Sequence, residues 1–336
     1  MIDQYTIHKM QESDIPDAIG IWREQTKKYC SNVDSFPDFW LNDSTAIFNF
    51  LIRKVKANAA IVAKSHCGVL GYLAYDEFPF HGEKSVFCPA IAHAAVEEHK
   101  QEVYASLYQH FSKEWVGRNI FNNMWTIHYN DIKLRSILFD LGFGSYLIDA
   151  FANAKKVLNF ESTCSIKRAG LVDMEDLYRL IEESREFYRS APLFLKREPY
   201  SRDDLSNFIK EGHIYLAVEE NKTVGFINVS ISQNDNVIDL SVKNSGLIDE
   251  IGAYINPEYR CRQIGKALLN NVFDICDKNG IKYVHVDFET ANLLANKFWR
   301  KYFDPVLLSM RRSVNKDAND GIDFIVKGEQ KNGETE

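Results

Sequence analysis

Residues 247–269 read Leu-Ile-Asp-Glu-Ile-Gly-Ala-Tyr-Ile-Asn-Pro-Glu-Tyr-Arg-Cys-Arg-Gln-Ile-Gly-Lys-Ala-Leu-Leu. The first third is apolar enough for a strand, and Asn256-Pro257 ends it, since proline cannot donate to a ladder. From Gly265 an amphipathic helix is expected, with Ala267, Leu268, Val272, Phe273 and Ile275 on its apolar side. Asn279-Gly280 is a normal stop signal for it. A strand, a short loop and a helix opening at a glycine make an anion site. The first N–H groups of the helix have no partner within it, and the helix dipole places partial positive charge there. Gly265 lets a ligand approach the backbone closely, and Arg260, Arg262 and Lys266 add charge.

The segment from Tyr259 to Leu269 resembles the signature of the GNAT superfamily of acyltransferases: Gln or Arg, two residues, Gly, one residue, then Gly or Ala. Arg260 takes the first place and Gly265 the last, while Gln263 stands where the middle glycine is usual. The resemblance implies that the backbone N–H groups of this loop hold the pyrophosphate of acetyl-CoA, and that Ala253, Tyr254 and Ile255 receive its pantetheine arm like an added strand. The implied contact set is completed by Arg260, Cys261, Arg262, Gln263, Ile264, Gly265, Lys266 and Ala267. Further along, residues 283–287 would be the next parallel strand. Residues 292–303 are similar to the family's following helix, with Asn292, Ala295 and Phe298 in family positions and Trp299 in place of the usual tyrosine. That tyrosine is often the general acid, and an indole N–H does not readily give up a proton, so Tyr302, one turn on, is the substitute. Counting back from Gly265 places the family's general base at Asp249, with Glu250 beside it on the other strand face. A base is required because amines near neutral pH are mostly protonated and only the neutral form attacks a thioester.

The same pattern occurs twice. Ile7, Asp14 and Asp17 recur as Ile166, Asp173 and Asp176 at one offset of 159. The hairpins at 60–73 and 216–227 match in layout, and the short helices at 131–143 and 292–304 match at an offset of 161. The expected architecture is therefore α/β with mixed sheets, as two tandem GNAT-like acyl-CoA N-acyltransferase domains: residues 1–157, residues 160–314, and a polar tail at 315–336 in which residues 322–326 could form a last strand. Each half is expected to carry its own largely antiparallel sheet, splayed where the ligand enters. In the first half the loop position, residues 95–101, has no glycine and holds Glu97 and Glu98, which would repel a pyrophosphate. That half reads as a degenerate copy in which His93 and His99 are structural or solvated rather than catalytic. Residues 184–199, with Phe187, Tyr188, Phe194 and Leu195, are expected to form a helix pair on the acceptor side.

Composition bounds the rest. The chain of 336 residues carries a net charge of −7 and no basic tract, which argues against nucleic acid. It has no apolar run of about 18 residues, which argues against a membrane span, and its start lacks a leader pattern. The six cysteines are scattered, so no metal site is expected and free thiols in a reducing cytoplasm are. The leading expectation is an N-acetyltransferase, monomer or homodimer, acting by direct attack of a primary amine of a small molecule or peptide on acetyl-CoA. The alternative is a non-catalytic acyl-CoA sensor or interaction protein. A doubly wound nucleotide-binding fold is set aside, because neither Ile7 nor Ile166 is followed by a glycine-rich loop.

Overall fold

The computed structural model describes residues 5–158, 164–211 and 213–319. The first half runs β1 (Thr6–Lys9), α1 (Ile15–Cys30), α2 (Phe39–Asn42), α3 (Thr45–Lys56), β2 (Ala60–Ser65), β3 (Gly68–Ala74), β4 (Asp76–Phe80), β5 (Glu83–Cys88), β6 (His93–Ala95), α4 (Lys100–Gly117), β7 (Asn122–His128), α5 (Ile132–Asp140) and β8 (Gly144–Asn153). The second half repeats that order, without a counterpart of the short α2, in β9 (Ser165–Arg168), α6 (Met174–Arg189), α7 (Arg202–Glu211), β10 (Ile214–Glu219), β11 (Lys222–Asn228), β12 (Ser230–Ile231), β13 (Gly246–Ile248), β14 (Ala253–Ile255), α8 (Ile264–Lys278), β15 (Tyr283–Glu289), α9 (Leu293–Trp299) and β16 (Asp304–Ser313).

The recurring residues do the same local work in each half. Asp14 accepts the N–H of Gln11 at 2.8 Å, and Asp173 accepts that of Gly170 at 3.0 Å. Each therefore caps the turn that enters the first helix. A lysine on a neighbouring strand pairs with each, Lys64 with Asp14 and Lys167 with Asp173. Gly71 and Gly225 lie in the second strand of each hairpin. A Cβ on either would sit 2.8 Å from a carbonyl of the adjoining strand, that of Ala94 or Tyr254, so close strand approach requires glycine at both. Asp131 and Asn292 each cap the following helix, accepting from Leu134 and Ala295. The amphipathic faces are filled as spacing dictates: α6 buries Leu177, Leu180, Ile181 and Ser184, and α8 buries Ile264, Ala267, Leu268, Val272, Phe273 and Cys276.

The sheets correct one expectation. Two four-stranded sheets, β1-β2-β3-β6 and β9-β10-β11-β14, do belong one to each half. The remaining strands form a single eight-stranded sheet, in the order β4-β5-β7-β16-β8-β15-β13-β12. Here β16, the last strand of the second half, lies between β7 and β8. β8, the last strand of the first half, lies between β16 and β15. The halves thus exchange their final strands, and the eight-stranded sheet is shared between them. The pairs β5–β7 and β13–β15 are parallel and their neighbours in this sheet antiparallel, which makes the fold mixed α/β. Side chains tie the halves further: the Trp40 indole donates to the Leu240 carbonyl at 2.6 Å, and Ser35 donates to Asp304 at 2.8 Å.

Other boundaries move. The strand expected over residues 247–255 is broken into β13 and β14, which join different sheets. α4 starts at Lys100, within the stretch read as the loop position of the first half, and the acceptor-side pair is α6 and α7, joined by a non-helical stretch at 190–201. Ile275 is half-buried rather than core. Residues 322–326, the expected last strand, and residues 159–163 of the link between the halves lie outside the described residues. No described helix is long and apolar enough to cross a membrane.

Candidate functional site

The parting of β13 from β14 opens the molecule. Ile248 pairs with Val286 of β15, whereas Ala253 pairs with Ile227 of β11. Between them residues 249–252 turn tightly: the Gly252 N–H reaches the Asp249 carbonyl at 2.8 Å, and Glu250 and Gly252 both adopt positive φ, 55° and 66°. A cleft of about 680 Å³ enters at this splay and runs along β14 to the start of α8, a size ordinary for a small-molecule site.

One end of the cleft is cationic and lined by backbone N–H groups. After β14, the Asn256 side chain accepts the N–H of Glu258 and starts a short 3₁₀ turn. Cys261 and Gln263 then take left-handed conformations, with φ of 64° and 59°. Glycine adopts this geometry freely and other residues at a cost of about 1 kcal/mol, which accounts for the glycine usual at the place of Gln263. No side chain caps α8, so its first N–H groups are left to a ligand. Gly265 is needed for a different reason from Gln263's neighbours: a Cβ there would meet the Phe298 ring at 3.1 Å and Ile255 at 3.2 Å. Arg260 donates to the Ile255 carbonyl at 3.0 Å and lies near the rings of Phe187 and Tyr254.

Of the eighteen residues singled out from sequence, sixteen line this cleft. Asp249, Glu250 and Tyr302 are among them, with Ala253, Tyr254, Ile255, Arg260, Cys261, Gln263, Ile264, Gly265, Lys266, Asn292, Ala295, Phe298 and Trp299. Two are turned away. Arg262 pairs with Glu219 at 3.3 Å and donates to the Glu258 carbonyl, and Ala267 is buried against the core. Asn292 spends its side-chain oxygen on capping α9. Trp299 is buried, while the Tyr302 ring packs 5.1 Å from that of Phe298.

The other end of the cleft is acidic. Asp249 accepts the Ser230 hydroxyl at 2.9 Å on both oxygens and lies near the Asn228 amide. Burial first, then the like charge of Glu250, push its carboxyl up to about 6, against the opposing effect of the Ser230 hydroxyl. Because Glu250 adopts a turn conformation, the two acids are not on alternate faces of a strand, as the uninterrupted strand had implied. Sequence reading missed several residues here. Arg197, from the stretch after α6, stacks on Tyr188 at 3.5 Å and pairs with Glu289 at 3.4 Å. Asp287 faces the cleft from β15. The available signal was the run His285, Asp287, Glu289: polar groups at alternate positions of a parallel strand, where an apolar run is the rule.

At the corresponding place in the first half the arrangement differs. Lys100, at the start of α4, is fully buried, and its ammonium reaches Asp131 at 2.8 Å, Glu97 at 2.9 Å and the Tyr29 hydroxyl at 2.7 Å. Burial opposes ionisation of Glu97, but Lys100 and Lys28 outweigh it and hold its carboxyl down at about 2. His93 is buried between the Tyr104 hydroxyl and the Thr126 carbonyl. Burial pushes its ring down to about 4, so it is neutral and structural.

Comparison with known proteins agrees with this geometry. Residues 174–304 match the acetyltransferase (GNAT) family. The chain is similar, at 26% identity over 171 residues, to a spermidine N(1)-acetyltransferase of Thermoplasma acidophilum; the match covers 46% of this chain and 92% of the relative. Among solved structures, a GCN5-related N-acetyltransferase from Sphaerobacter thermophilus superposes with a TM-score of 0.55 at 13% identity, covering 93% of this chain and 96% of that one. The glucosamine N-acetyltransferase region of a fungal multi-domain β-N-acetylglucosaminidase gives 0.52 at 11% identity, covering 93% of this chain and 38% of that one. At such identities the structural likenesses concern the fold alone.

Proposed function

We propose, from the match of residues 174–304 to the acetyltransferase (GNAT) family and the likeness to a spermidine N(1)-acetyltransferase, that this chain is an acyltransferase that transfers the acetyl group of acetyl-CoA to a primary amine by direct attack. The observation that carries this reading is one cleft joining an uncapped helix start, at Gln263 to Lys266, to parted strands and then to a carboxylate, Asp249. The fit to acetyl-CoA is good. The free N–H groups of α8, with Arg260 and Lys266 near them, suit a pyrophosphate, and the unpaired inner edge of β14 suits the amides of a pantetheine arm. The bound co-substrate supplies an activated acetyl thioester at the splay. Asp249 then takes a proton from the acceptor ammonium, and Tyr302 is placed to donate one to the departing sulfur. Glu250, open to solvent, adds negative charge that favours a cationic acceptor.

We read the first half, residues 1–157, as a second copy of the fold that does not bind acetyl-CoA, and residues 160–314 as the copy that does. Support comes from the residues that recur in both halves and from the start of α4, where Lys100 is buried in ion pairs with Asp131 and Glu97 whereas the start of α8 opens onto the cleft. The acceptor class is a small-molecule or peptide amine, and the Thermoplasma relative makes spermidine the first to assay. Calorimetry of acetyl-CoA binding should give one site per chain. Two sites would refute the degenerate first half. Binding without release of CoA thiol, across polyamines, amino sugars and lysine peptides, would turn the reading to the acyl-CoA sensor.

A further inference from the structure

The register of the shared sheet places three aspartates in one row. Asp149 of β8 lies directly opposite Asp287 of β15. Ile248 of β13 lies opposite Val286, so Asp249 and Asp287 are the next residues on those two strands, at the point where they part. Equivalent positions on paired strands share a face of the sheet. One step back along the same face, His285 contacts Asp149 at 3.2 Å, both of them buried. Of the three aspartates, Asp249 and Asp287 line the cleft. Two residues beyond Asp287, on the same face, Glu289 is nine-tenths buried. One of its oxygens meets Arg197, and the other has no hydrogen-bond partner among the described residues. These groups do not converge on a point: among the described residues no three acids, histidines or cysteines are placed to hold a metal ion. The row comes from both halves, because β8 reaches it only through the strand exchange.

Resting on the acetyl-transfer reading of the cleft, we propose that Asp287 is a second acceptor-facing catalytic carboxylate, which with Asp249 binds the acceptor ammonium and takes its proton. His285, held by Asp149 of the exchanged strand, is its positioning residue. The ammonium gives one proton to the carboxylate pair. Its freed electron pair forms the C–N bond to the thioester carbonyl carbon, and the C–S bond breaks with its pair on sulfur. Tyr302 gives its proton to that thiolate and takes the nitrogen's second proton in its place, and the carboxylate's proton is released to solvent. The products are the amide, CoA thiol and one proton.

Charge around Asp287 suits this task. Solvent reaches it within the cleft, yet protein surrounds it closely enough that desolvation first, then the charge of Asp149, push its carboxyl up to about 7. Glu289 adds to the rise, while His285 and Arg197 oppose it. From the turn, Asp249 and Glu250 face the same space. Burial works against a charged His285, but Asp239, from the stretch between β12 and β13, together with Asp149 and Asp287, lifts its ring to about 9. His285 is therefore a cation near neutral pH, and it lowers both Asp249 and Asp287. A carboxylate base works only when ionised, so activity is present above its pKa and falls as pH drops through it.

The test is the pH profile of kcat/KM from about pH 5 to about pH 9, with spermidine as acceptor and CoA thiol release as the readout. For the wild type, two required carboxylates give an acid limb steeper than one proton. Asp287→Asn, confirmed as folded by retained acetyl-CoA binding, should lower kcat/KM at pH 7 by about tenfold or more and reduce the limb to a single proton. Asp287→Glu should restore much of the loss. His285→Gln should shift the limb to higher pH, a change that mere loosening of the sheet would not give. Turnover by the wild type with an unchanged limb in Asp287→Asn would overturn this proposal alone. No turnover of any amine would overturn the acetyl-transfer reading and this proposal with it.

Discussion

Replacing Asp249 by Asn should make the protein more stable at alkaline pH while removing most of its activity. Burial lifts the Asp249 carboxyl from its ordinary 3.8 to about 6. A carboxyl that binds its proton more tightly when folded contributes stability that is fully present below its unfolded value. That contribution is lost as pH rises through the folded value, so an ionised Asp249 strains the fold at pH 8. A shift of about two units corresponds to about 3 kcal/mol at most. Solvent in the cleft still reaches part of the side chain, so about 1–2 kcal/mol is the expected gain. Asparagine keeps the shape and can still accept from Ser230, whose hydroxyl lies 2.9 Å away. Melting temperature compared across pH is the assay. Asp249→Asn should melt a few degrees above wild type near pH 8, with the difference vanishing below about pH 3, where the carboxyl is protonated in the folded and the unfolded chain alike. Turnover should meanwhile fall by about 10²–10⁴-fold with acetyl-CoA binding nearly unchanged, and Glu250→Gln should change both quantities little. A variant that melts lower than wild type at pH 8, or a difference that does not change with pH, would refute the assignment of Asp249 as a carboxylate held ionised against its surroundings.

Other perturbations separate the remaining roles. Gly265→Val should weaken acetyl-CoA binding by about 2 kcal/mol, roughly 30-fold, because the side chain meets Phe298 and Ile255 as well as the ligand. Normal binding by the folded variant would remove the loop from the site. Arg262→Ala should cost about 0.5 kcal/mol or less, since Arg262 is engaged with Glu219 outside the cleft. Tyr302→Phe should slow CoA thiol release by about tenfold or more, and a loss under about twofold would assign protonation of the sulfur to water instead.

What the sequence revealed and what it hid divide along physical lines. Local signals carried through. The capping acids Asp14 and Asp173, the hairpin glycines Gly71 and Gly225, and the strand-to-helix turn ending at Gly265 each act on residues within a few positions of themselves. The cleft was legible for the same reason, since most of its lining comes from two short stretches around β14 and α9. The exchange of β8 and β16 was not. Either strand shows the same apolar pattern whichever half it pairs with, and only the register between distant strands decides it. The break at residues 249–252 is set by β11 and β15 pulling β14 and β13 apart, although Gly252, with φ of 66°, was a visible clue. Arg197 went unread because nothing in its local sequence points towards Glu289, 92 positions away.

The most direct measurement of acetyl transfer is mass spectrometry of the amine itself after incubation with acetyl-CoA and a small amount of protein. Spermidine or another amine of the panel should appear as its N-acetyl derivative, at a rate proportional to protein concentration and largely lost in Gly265→Val. Tight acetyl-CoA binding with no amine acetylated above the uncatalysed rate would contradict the assignment of this cleft as an acetyltransferase site.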